Sequence, residues 1–481
     1  MTIGLLKTTP YAGMQKESYF KKVQEVNTMN NRRKMIYGGV AVMLSAATLT
    51  AGCSNGPAEK SDQIGTAQTV ETAQISQNSI AKSLQLQAKQ LETSDPKQPL
   101  DDLKPLKDMI GKANYVGLGE ATHGSSEIFM MKHRLVKYLV TELGFTNFGI
   151  EEDWGNGLKL NEYIQTGKGN PREFLKLLYP TDEIVAMVEW MREYNTDPAN
   201  KKKIQFIGLD LKMLDQSVFD QVINYVKEHH PDLLPEVEQS YKELSSVAGN
   251  LQEYMKLTTE VKEKHMANAQ KVVKLLEDKT KSNNETDSHE LAWVKETAKV
   301  IENFTKMVIP ADYPSMVTLH DQFLAEHAVW AQEKLGGKTM IWGHNIHIAK
   351  GVITEKMYPK VAGEFLKERV GNQYVAIGST TTEGKFTAFI SLSENKIAAD
   401  TIQKNENSSN HMLGQVHYDQ FLLDLRKLNG AAQQWVNKKQ PFFDGGAQII
   451  PNVPQYDDDV SLQEQFDILV HIQKTTPSHI K

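Results

Sequence analysis

Four short apolar runs in this chain each end in ionisable residues, and that coincidence constrains the fold more than any other feature. "VGLG" runs into Glu120 and His123, and "FGI" into Glu151, Glu152 and Asp153. "FIGL" ends in Asp210, and "MIWG" ends in His344, Asn345 and His347. Between the runs lie stretches whose apolar residues recur at helical spacing, such as "SSEIFMMKHRLVKYLVTELGF", "NGLKLNEYIQTG" and "EIVAMVEWMREYN". Apolar strands alternating with helices predict an α/β fold, a central, largely parallel sheet flanked by helices. Ligands of open parallel sheets bind outside the carboxyl ends of the strands, so four such ends would build one polar pocket from distant segments.

Further strands are expected at "TNFGI", "KIQFIGLDL", "TMIWGHNIHI" and "QYVAIGSTT". Residues 216–305 are long, polar and charged with helical spacing, and read as a helical insertion with "DKTKSNNETDSHE" as an internal loop. "IAKSLQLQAKQL" and "LDDLKPLKDMIG" read as short helices. From about 384 the pattern mixes short strands with a helix at "YDQFLLDLRKL". There is no internal repeat.

The N-terminus has a different character. "NNRRKMIYGGVAVMLSAATLTAGCSN" passes from Arg32, Arg33 and Lys34 through about 15 apolar or small residues into "TAGC", the order of a secretory signal peptide. That run is too short to span a bilayer as a mature helix. "LTAGC" resembles a bacterial lipobox, with Thr50 where Leu is usual and Cys53 as the lipidated residue. The expected domains are a signal peptide over 1–52 (natural start at Met29), a flexible tether over 53–80 and one body over 81–481. Such a protein sits on the extracytoplasmic side of the cell membrane, held by its lipid anchor.

Cys53 is the only cysteine, so no intramolecular disulfide and no cysteine-based zinc site can form. Without residues 1–52 the chain has 47 basic and 58 acidic groups, a net charge of -11. An acidic body argues against a nucleic-acid partner, which demands a basic face. The sequence has no G-x-S-x-G, no P-loop and no G-x-G-x-x-G, and "HELAW" fails H-E-x-x-H at Trp293.

Glu120 or Glu151 could orient His123 as a general base, and a helix starting near Ser125 would disfavour its imidazolium form. The same groups have plain structural alternatives: Glu120 a turn residue, His123 a helix cap, Glu151–Asp153 a solvated acidic turn.

The stretches "GLGEATHGSSEIFMMKHRLVKYLVTELGF", "FGIEEDW", "EWMREYN", "FIGLDL" and "WGHNIHI", with "FDILVHIQK" near the end, together resemble the erythromycin esterase family from about residue 100 onward. Each motif alone is weak, but five in order are specific. The resemblance implies hydrolysis of an ester, the type substrate being a macrolide lactone, by an activated water without an acyl-enzyme. It places the catalytic histidine on His123, its partner on Glu120, a second glutamate on Glu151 and a further histidine on His344. Lys132 falls where known macrolide esterases have arginine, and Gly124 where they carry a bulkier residue. Lysine offers a mobile point charge in place of arginine's fork, which bears on the macrolide more than on hydrolysis.

The expected mechanism has His123 take a proton from water while His344, with Lys132, stabilises the oxyanion. Asp210, Asn345 and His347 are the expected substrate contacts, and no cofactor is required. Two alternatives use the same residues. His123, Glu120, Glu151 and His344 could hold a divalent metal such as Zn²⁺, or the chain could be a non-catalytic surface binding lipoprotein.

Overall fold

The computed structural model describes residues 77–481 apart from 177, 283–287, 355–356, 392–393 and 450–454. The expected signal peptide, Cys53 and most of the tether lie outside the described residues. The chain divides into two compact units, the larger being Ser79–Ala388 with Ala398–Lys481. The smaller is Met1–Asn78 with Phe389–Ile397. The candidate site lies in the larger.

Its centre is a mixed, mostly parallel sheet in the order β1-β8-β11-β6-β2-β5-β3-β4. The strands that bear on the site are β2 (Tyr115–Glu120), β3 (Asn147–Asp153), β4 (Gln205–Asp210), β5 (Thr339–His344) and β6 (Tyr374–Ser391). These five and β11 (Ile468–Thr475) run parallel. β8 (Gln420–Asp424) is antiparallel to both β11 and the short β1 (Lys89–Gln90). β7 (Lys396–Thr401) pairs with β6, while β9 (Lys439–Phe443) and β10 (Tyr456–Ser461) form a separate antiparallel ribbon.

Alternation along the strands sends neighbours to opposite faces, each covered by helices. Phe206, Met340, Trp342 and Val470 join one core with α1 (Ser126–Thr141) and α2 (Asp182–Thr196). Ile207, Ile341 and Leu469 join the other. That second core takes in the helices of the expected insertion: Gln216–His229, Leu234–Ser245, Leu251–Met255, Thr259–Ser282 and His289–Met307. It is completed by α3 (Tyr313–Trp330).

The stretch "YDQFLLDLRKL" differs from expectation. It forms β8 and a 3₁₀ turn over Leu425–Lys427, because its apolar run is buried between β1 and β11. A short run buried on both faces has no period that separates strand from helix. "NIHI" is likewise a single helical turn, Asn345–Ile348, after β5.

β2, β5, β3 and β4 are neighbours in that order, and their carboxyl ends are level. Glu120 pairs in register with His344, and Asp153 with Asp210. Between Ile150 and Asp153 the register of β3 shifts. The irregularity falls on Glu151 and Glu152, and such bulges re-aim side chains.

Candidate active site

The Glu120 carboxylate has no exposed surface and is shared by three donors. Oε2 lies 2.7 Å from Nζ of Lys132, and Oε1 lies 2.7 Å from Nδ1 of His123. The Tyr179 hydroxyl donates to Oε1 from 3.1 Å. Burial favours protonated Glu120, but Lys132 and His123 outweigh it and hold the pKa below the usual value. Lys132 is itself buried, 3.8 Å above the Trp342 ring and 3.4 Å from the Gly343 carbonyl. Burial pulls its pKa down to about 8 against the pull of Glu120. Lys132 thus stands behind the carboxylate as its counter-ion, engaged on every side.

His123 sits in the turn between β2 and α1, where its amide donates to the Gly446 carbonyl at 3.3 Å. Gly124 follows because the chain there touches β6. A Cβ would lie 1.9 Å from the Thr387 oxygen, which leaves room for no other residue. With the Nδ1 hydrogen given to Glu120, Nε2 of His123 carries the lone pair, an assignment made from the hydrogen-bond partners. The side chain keeps 15% of its surface open, so a small molecule can reach it.

His344 stacks on His123 with centroids 4.9 Å apart and planes at 30°. Its Nε2 lies 2.9 Å from Oδ1 of Asp444, a residue just after β9. Burial opposes a charge on His344, yet Asp444, with Glu120 and Glu151, raises its pKa to about 9. The site therefore stacks His123, its Nδ1 against Glu120, on a charged imidazolium.

Only Glu151 of the three acids on β3 reaches this edge, accepting from the His344 amide at 3.3 Å. Glu152 is turned to Asn156 and to the amides of Asp153 and Lys176, while Asp153 accepts from the Met213 amide. Burial favours protonation of Glu151, but His347, Lys212 and His123 more than reverse this and lower its pKa.

Behind Glu151 a closed ring of alternating groups forms. His347 Nε2 is 3.5 Å from Glu151 Oε1, and its Nδ1 is 2.9 Å from Asp321. His320 bridges Asp321 at 2.9 Å and Asp210 at 3.0 Å, one nitrogen to each. Lys212 closes the ring, 2.6 Å from Asp210 and 3.6 Å from Glu151.

The expected substrate contacts are thus internal. Asp210 is buried in the ring and also accepts from the amides of Leu211 and Lys212. Both polar atoms of Asn345 are tied to the Ser379 backbone. His347 is buried between Asp321 and Glu151, with the Tyr358 ring edge-on at 5.3 Å.

Tyr179, Lys212, His320, Asp321 and Asp444 did not emerge from the sequence. For Lys212 a signal existed: it stands two residues after Asp210, past a strand end. The others sit in helices or loops with nothing local to mark them.

Among the described residues, the group whose ligand atoms come close enough to share a metal is His320, Asp321 and His347. Both His320 nitrogens face carboxylates, so both carry hydrogen and neither has a lone pair for a cation. The set Glu120, His123, Glu151 and His344 fits a metal poorly too, because the Lys132 ammonium already stands against Glu120.

The erythromycin esterase family model matches residues 140–475, so the chain belongs to that family and is, in the broad sense, a hydrolase. It is 25% identical to an erythromycin esterase type II of Escherichia coli over 80% of this chain and 95% of that one. A putative hydrolase of Bacillus subtilis is also 25% identical, over 80% and 90%. A solved structure described as a succinoglycan biosynthesis protein is 63% identical over 84% of this chain and 99% of that one, with a TM-score of 0.79. An erythromycin esterase in an open conformation shares the fold at 17% identity over 79% of this chain and 96% of that one, TM-score 0.62.

The ring makes a pH-dependent prediction. Burial disfavours a charge on His320, but Asp210 and Asp321 raise its pKa from 6.5 to about 9. A raised histidine stabilises the fold fully below pH 6.5, and that contribution is lost as pH rises through about 9. Urea unfolding should show His320→Gln less stable than the parent by about 2 kcal/mol at pH 6, with the gap narrowing towards pH 9. A gap independent of pH would contradict the charged form.

Proposed function

We propose that the protein hydrolyses a carboxylic ester with water activated by His123. The observation that carries this reading is the 2.7 Å contact of Glu120 with Nδ1 of His123, which leaves the Nε2 lone pair free. Nε2 takes a proton from water, and the hydroxide adds to the ester carbonyl. The imidazolium of His344 is the group suited to the developing oxyanion. Collapse of the tetrahedral intermediate breaks the bond to the alcohol oxygen, which takes the proton back from His123. Acid and alcohol leave, and no acyl-enzyme forms. Lys132 keeps Glu120 ionised instead of meeting the oxyanion, and Glu151 aligns the backbone of His344.

Catalysis without a metal is part of the proposal, supported by the Lys132 ammonium beside Glu120. The substrate class is drawn from relatives. The Escherichia coli relative suggests a macrolide lactone. The name of the 63%-identical neighbour speaks of a glycan, which favours an acyl ester on a polysaccharide as the second reading. A surface location agrees with the second and rests on the sequence around Cys53; a Cys53→Ala chain should leave the membrane fraction, and one that stays contradicts the anchor.

The test is hydrolysis of p-nitrophenyl esters, macrolides and an acylated polysaccharide, with and without EDTA. His123→Asn should lose about 10² to 10⁴ in rate while EDTA changes nothing. Full turnover by His123→Asn would refute the base, and loss to EDTA restored by Zn²⁺ would favour the metal reading. A chain that binds one of these esters and turns over none is the binding protein.

A further inference from the structure

The loop after β9 touches both histidines of the pocket. Its backbone is laid along the turn that carries His123: the Gly445 amide donates to the Ala121 carbonyl at 2.9 Å, and the Gly446 carbonyl accepts from His123 at 3.3 Å. A Cβ on Gly445 would come within 2.7 Å of Thr122, and Gly446 has a φ of +56°, so the "DGG" stretch suits this close approach. The side chain of Asp444 turns the other way, to Nε2 of His344 at 2.9 Å. The Asp444 amide donates to the Gln455 carbonyl at 3.0 Å, and that of Phe443 to Asn410 at 2.9 Å, which fixes where the carboxylate points.

We propose that Asp444 is a positioning residue of the reaction: its carboxylate, 2.9 Å from Nε2 of His344, pairs with that imidazolium and holds the ring stacked on His123, so the site works as two carboxylate–imidazole pairs. The inference rests on the hydrolase reading and deepens it. One pair, Glu120 with His123, delivers the base. The other, Asp444 with His344, delivers the electrophile. One loop sets their spacing, because its backbone fixes His123 while its side chain fixes His344. With Nε2 directed at Asp444, Nδ1 is the His344 nitrogen left to meet a substrate oxygen. In the structure Nδ1 accepts from the Ile346 amide at 3.5 Å, the limit of a hydrogen bond, so meeting a substrate oxygen requires that weak contact to give way.

The groups facing His344 are Asp444 from the loop, Glu120 from β2, His123 from the turn and Glu151 from β3. Lys132 approaches from α1 at the Gly343 carbonyl. Glu120 and Glu151 have cationic partners of their own in Lys132 and Lys212, which leaves Asp444 as the acid paired with His344 alone.

The experiment compares the full chain with Asp444→Asn. Asparagine keeps the size and removes the charge. On an ester the parent hydrolyses, kcat should fall roughly 10²-fold with KM nearly unchanged, and the alkaline limb of kcat should move below its position near pH 9. Asp444→Glu should restore part of kcat and return the limb towards pH 9. A purely structural aspartate would lower kcat without moving the limb, and that result overturns the proposal, as does an unchanged kcat.

Imidazole ¹⁵N titration of the parent, with His344 assigned from His344→Gln, requires neither turnover nor a folded Asp444 variant. A doubly protonated His344 up to about pH 9 supports the pairing, and titration near 6.5 refutes it. If the NMR signature holds while no ester is cleaved, the hydrolase reading has failed and the Asp444–His344 pair has not.

Discussion

An ionised carboxylate with no exposed surface is costly, and Glu120 is one. It persists because a lysine, a histidine and a tyrosine all turn their hydrogens towards it. Much of the local structure is the consequence. α1 must face inward at Lys132, and the ammonium must rest on Trp342, whose π face tolerates a cation where little water is left. His123 must give up its Nδ1 hydrogen, which fixes its tautomer. Tyr179, its pKa well above the usual value through burial and the charge on Glu120, stays a neutral donor. Chemistry and stability meet in one carboxylate.

The sheet turns that local arrangement into a site. Because β2, β5, β3 and β4 are adjacent and end level, Glu120, His344, Glu151 and Asp210 arrive side by side although 224 positions separate Glu120 from His344. The shift in β3 selects Glu151 from three consecutive acids. Behind it, a ring through His347, Asp321, His320, Asp210 and Lys212 sets each buried carboxylate between nitrogen groups, as buried ions demand. The ring also ties α3 to the ends of three strands, so the elements that flank the catalytic edge and the acid at its centre share one electrostatic unit.

The sheet and the polar edge at its carboxyl end were legible because a parallel strand buried on both faces is a plain apolar run, and a carboxylate at its end stands out. Glu120, His123, Glu151 and His344 were visible in that way. Asp210, Asn345 and His347 showed the same pattern, but a strand end serves structure as readily as substrate, and in the fold they are held by Lys212, Ser379 and Asp321. Lys132 was visible only as a basic residue in a helix; the carboxylate that claims it lies on another element. Tyr179 and Asp444 left no local trace, since their roles exist only through contacts with residues 59 and 100 positions away, Glu120 and His344. β8 was misread for a related reason, its neighbours being far away in the chain.

The central claim is that the Glu120 charge holds His123 as a base, and Glu120→Gln tests it most directly. Glutamine keeps the shape and removes the charge. Measured at pH 7 on an ester the parent hydrolyses, kcat should fall by about 10²-fold or more while the variant remains folded by circular dichroism. A folded Glu120→Gln protein that turns over at the parental rate would contradict the account.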